Sequence, residues 1–343
     1  MTTIRIDLYS DTKTRPTAAM RQAMAAAEVG DEQQNEDPTV LELTRRAAAL
    51  LGQEDAIFLP SGTMCNEMAI MLHCQPGTEL IAHETSHCLN FESGAPGALA
   101  GAMLRVVRGD NGFFTGDDVR AVIRPKRHLY PQSRLVLIEQ TANLAGGTVW
   151  PLEQMQDVAQ AAREHGLALH LDGARLWNAA VKSGVSLSDY GRLFDTVFVD
   201  FTKGMGAPFG AILAGSRETI LQAWPLKQRL GGSMRQAGLM AAGCIHALDH
   251  HFDRLQHDHD NAAELARMIG EIPGIIVEPP ATNMVFFDVQ GTGHTAAQFA
   301  EKLMKDGIRV CEVGETRIRA VTHLDVSASD IVTVVKAMSI SEY

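Results

Sequence analysis

The feature that most constrains this chain is an alternation. Between Asp55 and Ser216 short apolar runs and amphipathic runs take turns. "DAIFLPSGTMCNEMAIMLHC" reads as a strand, a turn at Pro60–Thr63 and an apolar helix ending at Cys74. "GTELIAHETSH", "MLRVVRGDNG", "SRLVLIEQT", "LALHLDGARLW", "FDTVFVDFTKG" and "GAILAGS" each read as a strand running into a turn. "TGDDVRAVI" opens a helix. "PLEQMQDVAQAAREHG" carries proline at its start and glycine at its end, the usual helix asymmetry. Strands that alternate with helices indicate βαβ units, a mostly parallel sheet and helices on both faces. Leu135–Ile138 and Leu167–Leu171 are nearly all apolar, as expected of central strands buried on both sides.

The texture changes after Met240. "AAGCIHALDHHFDRLQHDHDNAAELARMIGEI" reads as one long helical stretch, followed by the short strands "NMVFFDV" and "IRAVTHLD". The expected organisation is an N-terminal segment (1–17), a large α/β domain (18–245) and a smaller α+β domain (246–343). His250, His251, His257 and His259 are expected on a solvated helix face, with no metal site. Cys65 is expected as a small core residue.

Composition bounds the function. The 343 residues carry a formal net charge of −11, which argues against nucleic-acid binding. No apolar stretch reaches the roughly 18 residues of a transmembrane helix. The N-terminus "MTTIRIDLYSD" has charges where a secretion signal needs an apolar run. The five cysteines are odd in number and form no C-x-x-C pair, which fits a reducing, cytoplasmic setting.

Ligands of open α/β sheets bind at the carboxyl ends of the parallel strands. Polar residues follow these expected strands in turn: Ser61-Gly62-Thr63, His87, Gln140–Asn143, Asp172–Arg175 and Thr202-Lys203. At Ser61-Gly62-Thr63 a glycine and a helix start suit a phosphate. Neither a Walker loop nor a G-x-G-x-x-G dinucleotide turn is present. A buried Asp172 requires a cationic partner. A protonated pyridine nitrogen or Arg175 would serve. A lysine and an aspartate on adjacent strand ends, with a phosphate turn nearby, are the parts of a pyridoxal 5'-phosphate (PLP) site. His87 is the candidate to lie over the ring and exchange protons. Arg235 in "GGSMRQ" and Arg319 in "RIRAVTHLD" are candidates to bind a substrate carboxylate.

With these residues in place the chain resembles the L-threonine aldolase family. The likeness rests on "IDLYSDTKTRPTAAMRQAM", "VGDEQQNEDPTV", "FLPSGTMCN", "LHLDGARLWNA", "TKGMGAPFG", "LGGSMRQAG", "TNMVFF" and "VTHLD", in that order along nearly the whole chain. It implies the fold-type-I architecture of PLP-dependent transferases, with a sheet of the seven-stranded type. It also implies that Lys203 bonds the cofactor and that Asp172 faces the pyridine nitrogen. Gly62 and Thr63 would hold the phosphate, and His87 would stack on the ring. Ser10, Arg175 and Arg319 would bind the substrate carboxylate, with Arg175 also near the cofactor. Arg235 would reach the cofactor of a neighbouring subunit in a homotetramer built from dimers. The implied reaction is cleavage of an L-β-hydroxy-α-amino acid to glycine and an aldehyde. The alternative is a PLP-dependent β-elimination.

Two positions depart from the family pattern. "EQTAN" places Ala142 where members carry a histidine, and Gln34 stands where they often carry tyrosine. Both would border the substrate side chain. A β-hydroxy amino acid with a bulkier or more polar side chain than threonine, phenylserine for example, is therefore expected. His87, directly or through water, is the remaining candidate base.

Overall fold

The computed structural model describes residues 3–339. After a short strand β1 (Ile6–Asp7), seven strands build one large sheet. They are β2 (Asp55–Leu59), β3 (Glu79–His83), β4 (Met103–Val107), β5 (Ser133–Glu139), β6 (Ala168–Gly173), β7 (Thr196–Asp200) and β8 (Ala211–Gly215). Their spatial order is β2-β8-β7-β6-β5-β3-β4. Five of them, β7 through β4 in that order, run parallel, while β8 lies antiparallel to both β2 and β7. The alternation of the sequence does not reveal this reversal. Its cause is the connection: residues 201–210 hold no helix, and a parallel return needs a crossover of a dozen residues or more.

The strands bury both faces. In β5, Val136 and Ile138 enter the core formed with the helices Pro38–Leu51, Leu152–Glu164 and Leu176–Ser183. Leu135 and Leu137 point the other way, and β2, β7 and β8 alternate in the same manner. The helix Gly62–His73 packs on this second face through Cys65, Met68, Ala69 and Ile70. Cys65 is a core residue, as expected. Because β2 and β7 share a direction, the start of this helix opens on the same sheet edge as the ends of β6 and β7.

The C-terminal part adds β9 (Ile276–Val277), β10 (Met284–Asp288), β11 (Ile308–Arg309), β12 (Cys311–Glu312) and β13 (Arg317–Val321). An antiparallel sheet of order β12-β13-β10-β9 packs against helices through Val285, Phe287, Ile318, Leu265, Leu303 and Val334. The N-terminal segment joins this second core. β1 pairs with β11, and Ile6 and Leu8 are buried in it. The changeover expected at 245/246 falls inside the helix Gly238–His250. Ala247 and Leu255 still belong to the large core, and the small core begins with Ala262.

The long helical stretch is two helices, Gly238–His250 and Leu255–Ile269, separated by a break at 251–254. This corrects the expected solvated histidine face. His250 and His257 are exposed, but the break turns His251 and His259 inward. The His251 Nδ1 lies 2.7 Å from the Met205 carbonyl, and His259 Nε2 lies 3.3 Å from Asn178 Nδ2.

Candidate active site

Five polar clusters meet at the carboxyl edge of the large sheet. At the end of β7, Lys203 Nζ pairs with Asp200 Oδ2 at 2.9 Å. Its carbonyl accepts hydrogen bonds from the Gly206 N–H and the Thr14 hydroxyl at 2.8 and 2.9 Å. These bonds fix the turn that carries the amine. At the end of the neighbouring β6, Asp172 is buried. Its Oδ2 accepts from Asn66 Nδ2 at 2.8 Å and its Oδ1 from the Ala174 N–H at 3.1 Å. Each oxygen keeps a lone pair for a further donor. Burial pushes this carboxyl above its usual range, against the pull of His87, Asn66 and Lys203.

Arg175 does not serve as the cation for Asp172. Its Nε and Nη2 both bind Asp11, each at 2.7 Å, and both side chains are buried. The N-terminal segment brings Asp11 there, and Ser10 beside it caps the short turn Asp11–Lys13. Among the described residues Asp172 has no ion-pair partner, although the charges of His87 and Lys203 act on it.

The helix Gly62–His73 begins beside this pair. Ser61 Oγ caps Met64 N, and Ser61 O accepts from Cys65 N. Among the described residues the Gly62 and Thr63 N–H groups have no such partner. A Cβ on Gly62 would sit 2.9 Å from the Phe198 ring, so only glycine fits there. Two free N–H groups at the positive end of a helix of 12 residues suit a phosphate.

His87 follows β3. Its N–H donates to Glu139 Oε2 at 2.6 Å, and its Nδ1 bonds Glu92 Oε1 at 2.7 Å. Nε2 is the ring nitrogen left for a ligand. Glu139, which ends β5, also accepts from Asn143 N at 2.8 Å. Burial beside Asp172 pushes the Glu139 carboxyl up to about 7.

Asn143 carries the chain of contacts to the small domain. Its Oδ1 accepts from Arg319 Nη1 at 3.2 Å, and the Tyr9 carbonyl accepts from Arg319 Nη2 at 3.2 Å. Both partners are neutral, and the buried Arg319 Nε has none. Among the described residues Arg319 has no carboxylate partner, whereas Arg175 binds Asp11 through Nε and Nη2. Ala142 is buried next to Asn143, and Gly112 approaches so closely that a Cβ there would lie 2.7 Å from the Ala142 methyl.

Two expected residues stay outside this network. The side chain of Arg235 is 60% exposed and pairs with Asp31 at 2.7 Å. Gln34 is exposed on the same acidic loop.

This arrangement matches known proteins. The Beta-eliminating lyase family profile matches residues 7–292. This chain belongs to the threonine aldolase family of beta-eliminating lyases. Low-specificity L-threonine aldolase 1 of Arabidopsis thaliana is 38% identical over 333 residues, 95% of this chain and 93% of that protein. The low specificity L-threonine aldolase of Escherichia coli K12 is 38% identical over 330 residues, 96% and 97% of the two chains. The Leishmania major threonine aldolase structure shares the fold, with a TM-score of 0.84 at 23% identity over 97% of this chain and 98% of that one.

Threonine aldolases are carbon–carbon lyases that use PLP. The donor set fits that cofactor: a lysine amine, a buried carboxylate with no ion-pair partner among the described residues, and two free N–H groups at a helix start. Reading strand ends one at a time missed several members of the cluster. Asp200 and Glu139 are the last residues of apolar strands, where a charged residue is itself a signal. Asn66 follows Gly62 on its helix and Glu92 follows His87 in the bend after the short helix His87–Asn90, but their meeting depends on the fold.

Proposed function

We propose that this protein cleaves an L-β-hydroxy-α-amino acid, such as threonine, allo-threonine or phenylserine, to glycine and an aldehyde. The observation that carries this reading is the placement of Lys203 and Asp172 after adjacent strands, together with Arg319, which has no carboxylate partner among the described residues. Lys203 would bond PLP, Asp172 would hold its ring nitrogen, and Gly62 and Thr63 its phosphate. Bound there, PLP supplies an electron-accepting ring for the pair released as Cα–Cβ breaks.

The chain's own residues do the rest. Arg319 grips the substrate carboxylate with its planar fork. Ser10 closes that end, and Arg175, held by Asp11, adds fixed positive charge behind it. His87, fastened at Nδ1, offers Nε2 to the β-hydroxyl proton, directly or through one water. Ala142 and Gln34 leave the substrate side chain without an added charged group.

The reading extends to assembly and setting. A homotetramer with sites shared between copies is supported by Gln34 and Arg235 standing exposed together. Their loops are locked by the buried Lys227–Glu32 ion pair and by Glu32 N bonding Arg235 O at 2.9 Å. A cytoplasmic setting is supported by five free cysteines, four of them buried. No helix among the described residues is long and apolar enough to cross a membrane.

Incubating the PLP-loaded protein with threonine, allo-threonine, phenylserine and 3-hydroxyaspartate tests the function. Glycine and an aldehyde are expected. A keto acid and ammonia in their place would assign β-elimination instead.

A further inference from the structure

Behind His87 lies a pair of carboxyl groups that the proposed cleavage does not itself use. Glu92 Oε1 accepts from His87 Nδ1 at 2.7 Å and from Asn66 Nδ2 at 2.8 Å. The Glu92 side chain is fully buried. Its second oxygen, Oε2, has no hydrogen-bond partner, and neither has either oxygen of Glu67, which is 2% exposed. Glu67 sits next to Asn66 on the helix Gly62–His73 and faces Glu92. Two buried carboxylates in contact cannot both stay ionised, and three bare carboxyl oxygens in a dry site are costly. One proton removes the like-charge conflict and pairs two of the three oxygens: carried by Glu67, it is donated to Glu92 Oε2.

We propose that Glu67 and Glu92 share a single proton behind His87 and act together as positioning residues. The pair holds the imidazole by Nδ1 and sets the readiness of Nε2 to take a proton. The base role of His87 rests on the reading above, whereas the shared proton does not.

Several observations agree. Burial, then the bond to Glu92 and its charge, push Glu67 up to about 9, which favours the protonated form there. Asn66 accounts for its own hydrogens, since its Nδ2 donates to Glu92 and Asp172 while its Oδ1 accepts from His170 Nε2 at 3.0 Å. It has no donor left for Glu92 Oε2. Burial alone would lower the basicity of His87. The bond to Glu92 and the charges of Asp172 from β6 and Glu139 from β5 outweigh it, and the net shift is upward. The nearby Cys65 and Cys88 thiols are pushed well up by burial and stay neutral. The pair thus carries one negative charge, placed on the carboxyl that touches His87.

Isosteric variants test this. Glu67→Gln keeps a donor to Glu92, so His87 should titrate as in the wild type. The infrared C=O stretch of a protonated carboxyl, present in the wild-type protein at neutral pH, should be lost from the difference spectrum. Glu92→Gln lets the charge retreat to Glu67, and the double variant removes it. The His87 titration, followed by NMR of histidine labelled at Cε1 and assigned with His87→Asn, should fall in that order. In the double variant the midpoint should be lower by roughly one pH unit or more. An unchanged infrared spectrum in Glu67→Gln overturns the shared proton. A double variant whose His87 titrates like the wild type overturns the positioning role. Both readouts are made with and without PLP and need no turnover. Full glycine release in His87→Asn would fault the base assignment and leave the pair standing.

Discussion

Arg175 and Asp11 form a buried, two-pronged ion pair, with Nε–Oδ2 and Nη2–Oδ1 both at 2.7 Å. It ties the N-terminal segment, whose Leu8 belongs to the small core, to the end of β6 in the large sheet. Burial alone would raise the Asp11 carboxyl, but the charge and hydrogen bonds of Arg175 hold it well below the usual carboxylate range. A depressed carboxyl stabilises the fold above its unfolded value, about 4, and that contribution is lost as pH falls through the lower folded value. Asp11→Asn leaves Arg175 buried without its counter-charge. Urea unfolding at pH 7 should show a loss of about 3–5 kcal/mol. The variant should also lose part of the wild-type acid sensitivity below pH 4.

Lys203→Ala removes the amine proposed to bond the cofactor while leaving Asp172 and the Gly62–Thr63 N–H groups. Dialysis should strip PLP from this variant, with loss of the visible absorbance of the lysine-bound form. Glycine release should drop by more than about a thousandfold, as for loss of a group that acts on the reacting atoms. Full activity after dialysis would move the anchor elsewhere.

Arg319 is the guanidinium proposed to bind the substrate carboxylate, since among the described residues its hydrogen-bond partners are the neutral Asn143 Oδ1 and Tyr9 O. A hydrogen bond to a charged group contributes about 1.5–3 kcal/mol. Arg319→Ala should therefore raise KM roughly 10- to 100-fold in steady-state assays. Arg319→Lys should recover only part, because it lacks the fork. An unaltered KM in Arg319→Ala would return the carboxylate role to Arg175 or Ser10.

Gly112 presses its backbone on the Ala142 methyl, with φ at +78°. The segment is pinned by His83 Nε2 to the Gly109 carbonyl at 3.0 Å and by the Thr148 hydroxyl to the Asn111 carbonyl at 2.7 Å. Gly112→Ala meets both a left-handed backbone and a contact of 2.7 Å, and should destabilise by roughly 2 kcal/mol or more. Adding Ala142→Gly removes the contact but not the backbone strain. The melting temperature should therefore recover in part. If the double variant melts no higher than the single one, the contact is not the cause.

Much of this molecule is determined by its sequence alone. The strand runs, the helix Gly62–His73 and the meeting of Lys203, Asp172, Gly62, Thr63 and His87 at one sheet edge follow from hydrophobic period and from which residues end the strands. Those signals are local, so a single chain read from end to end carries them. Other features are decided only by the folded structure. The choice of Arg175 for Asp11, the antiparallel insertion of β8, the inward turn of His251 and His259 and the return of Ile6 and Leu8 to the small core join residues far apart in the chain. The Glu67–Glu92 pair depends on something no sequence window contains. Its chemistry arises because packing removes water from two carboxyl groups at once, and the charge a buried group can hold is set by what surrounds it in space.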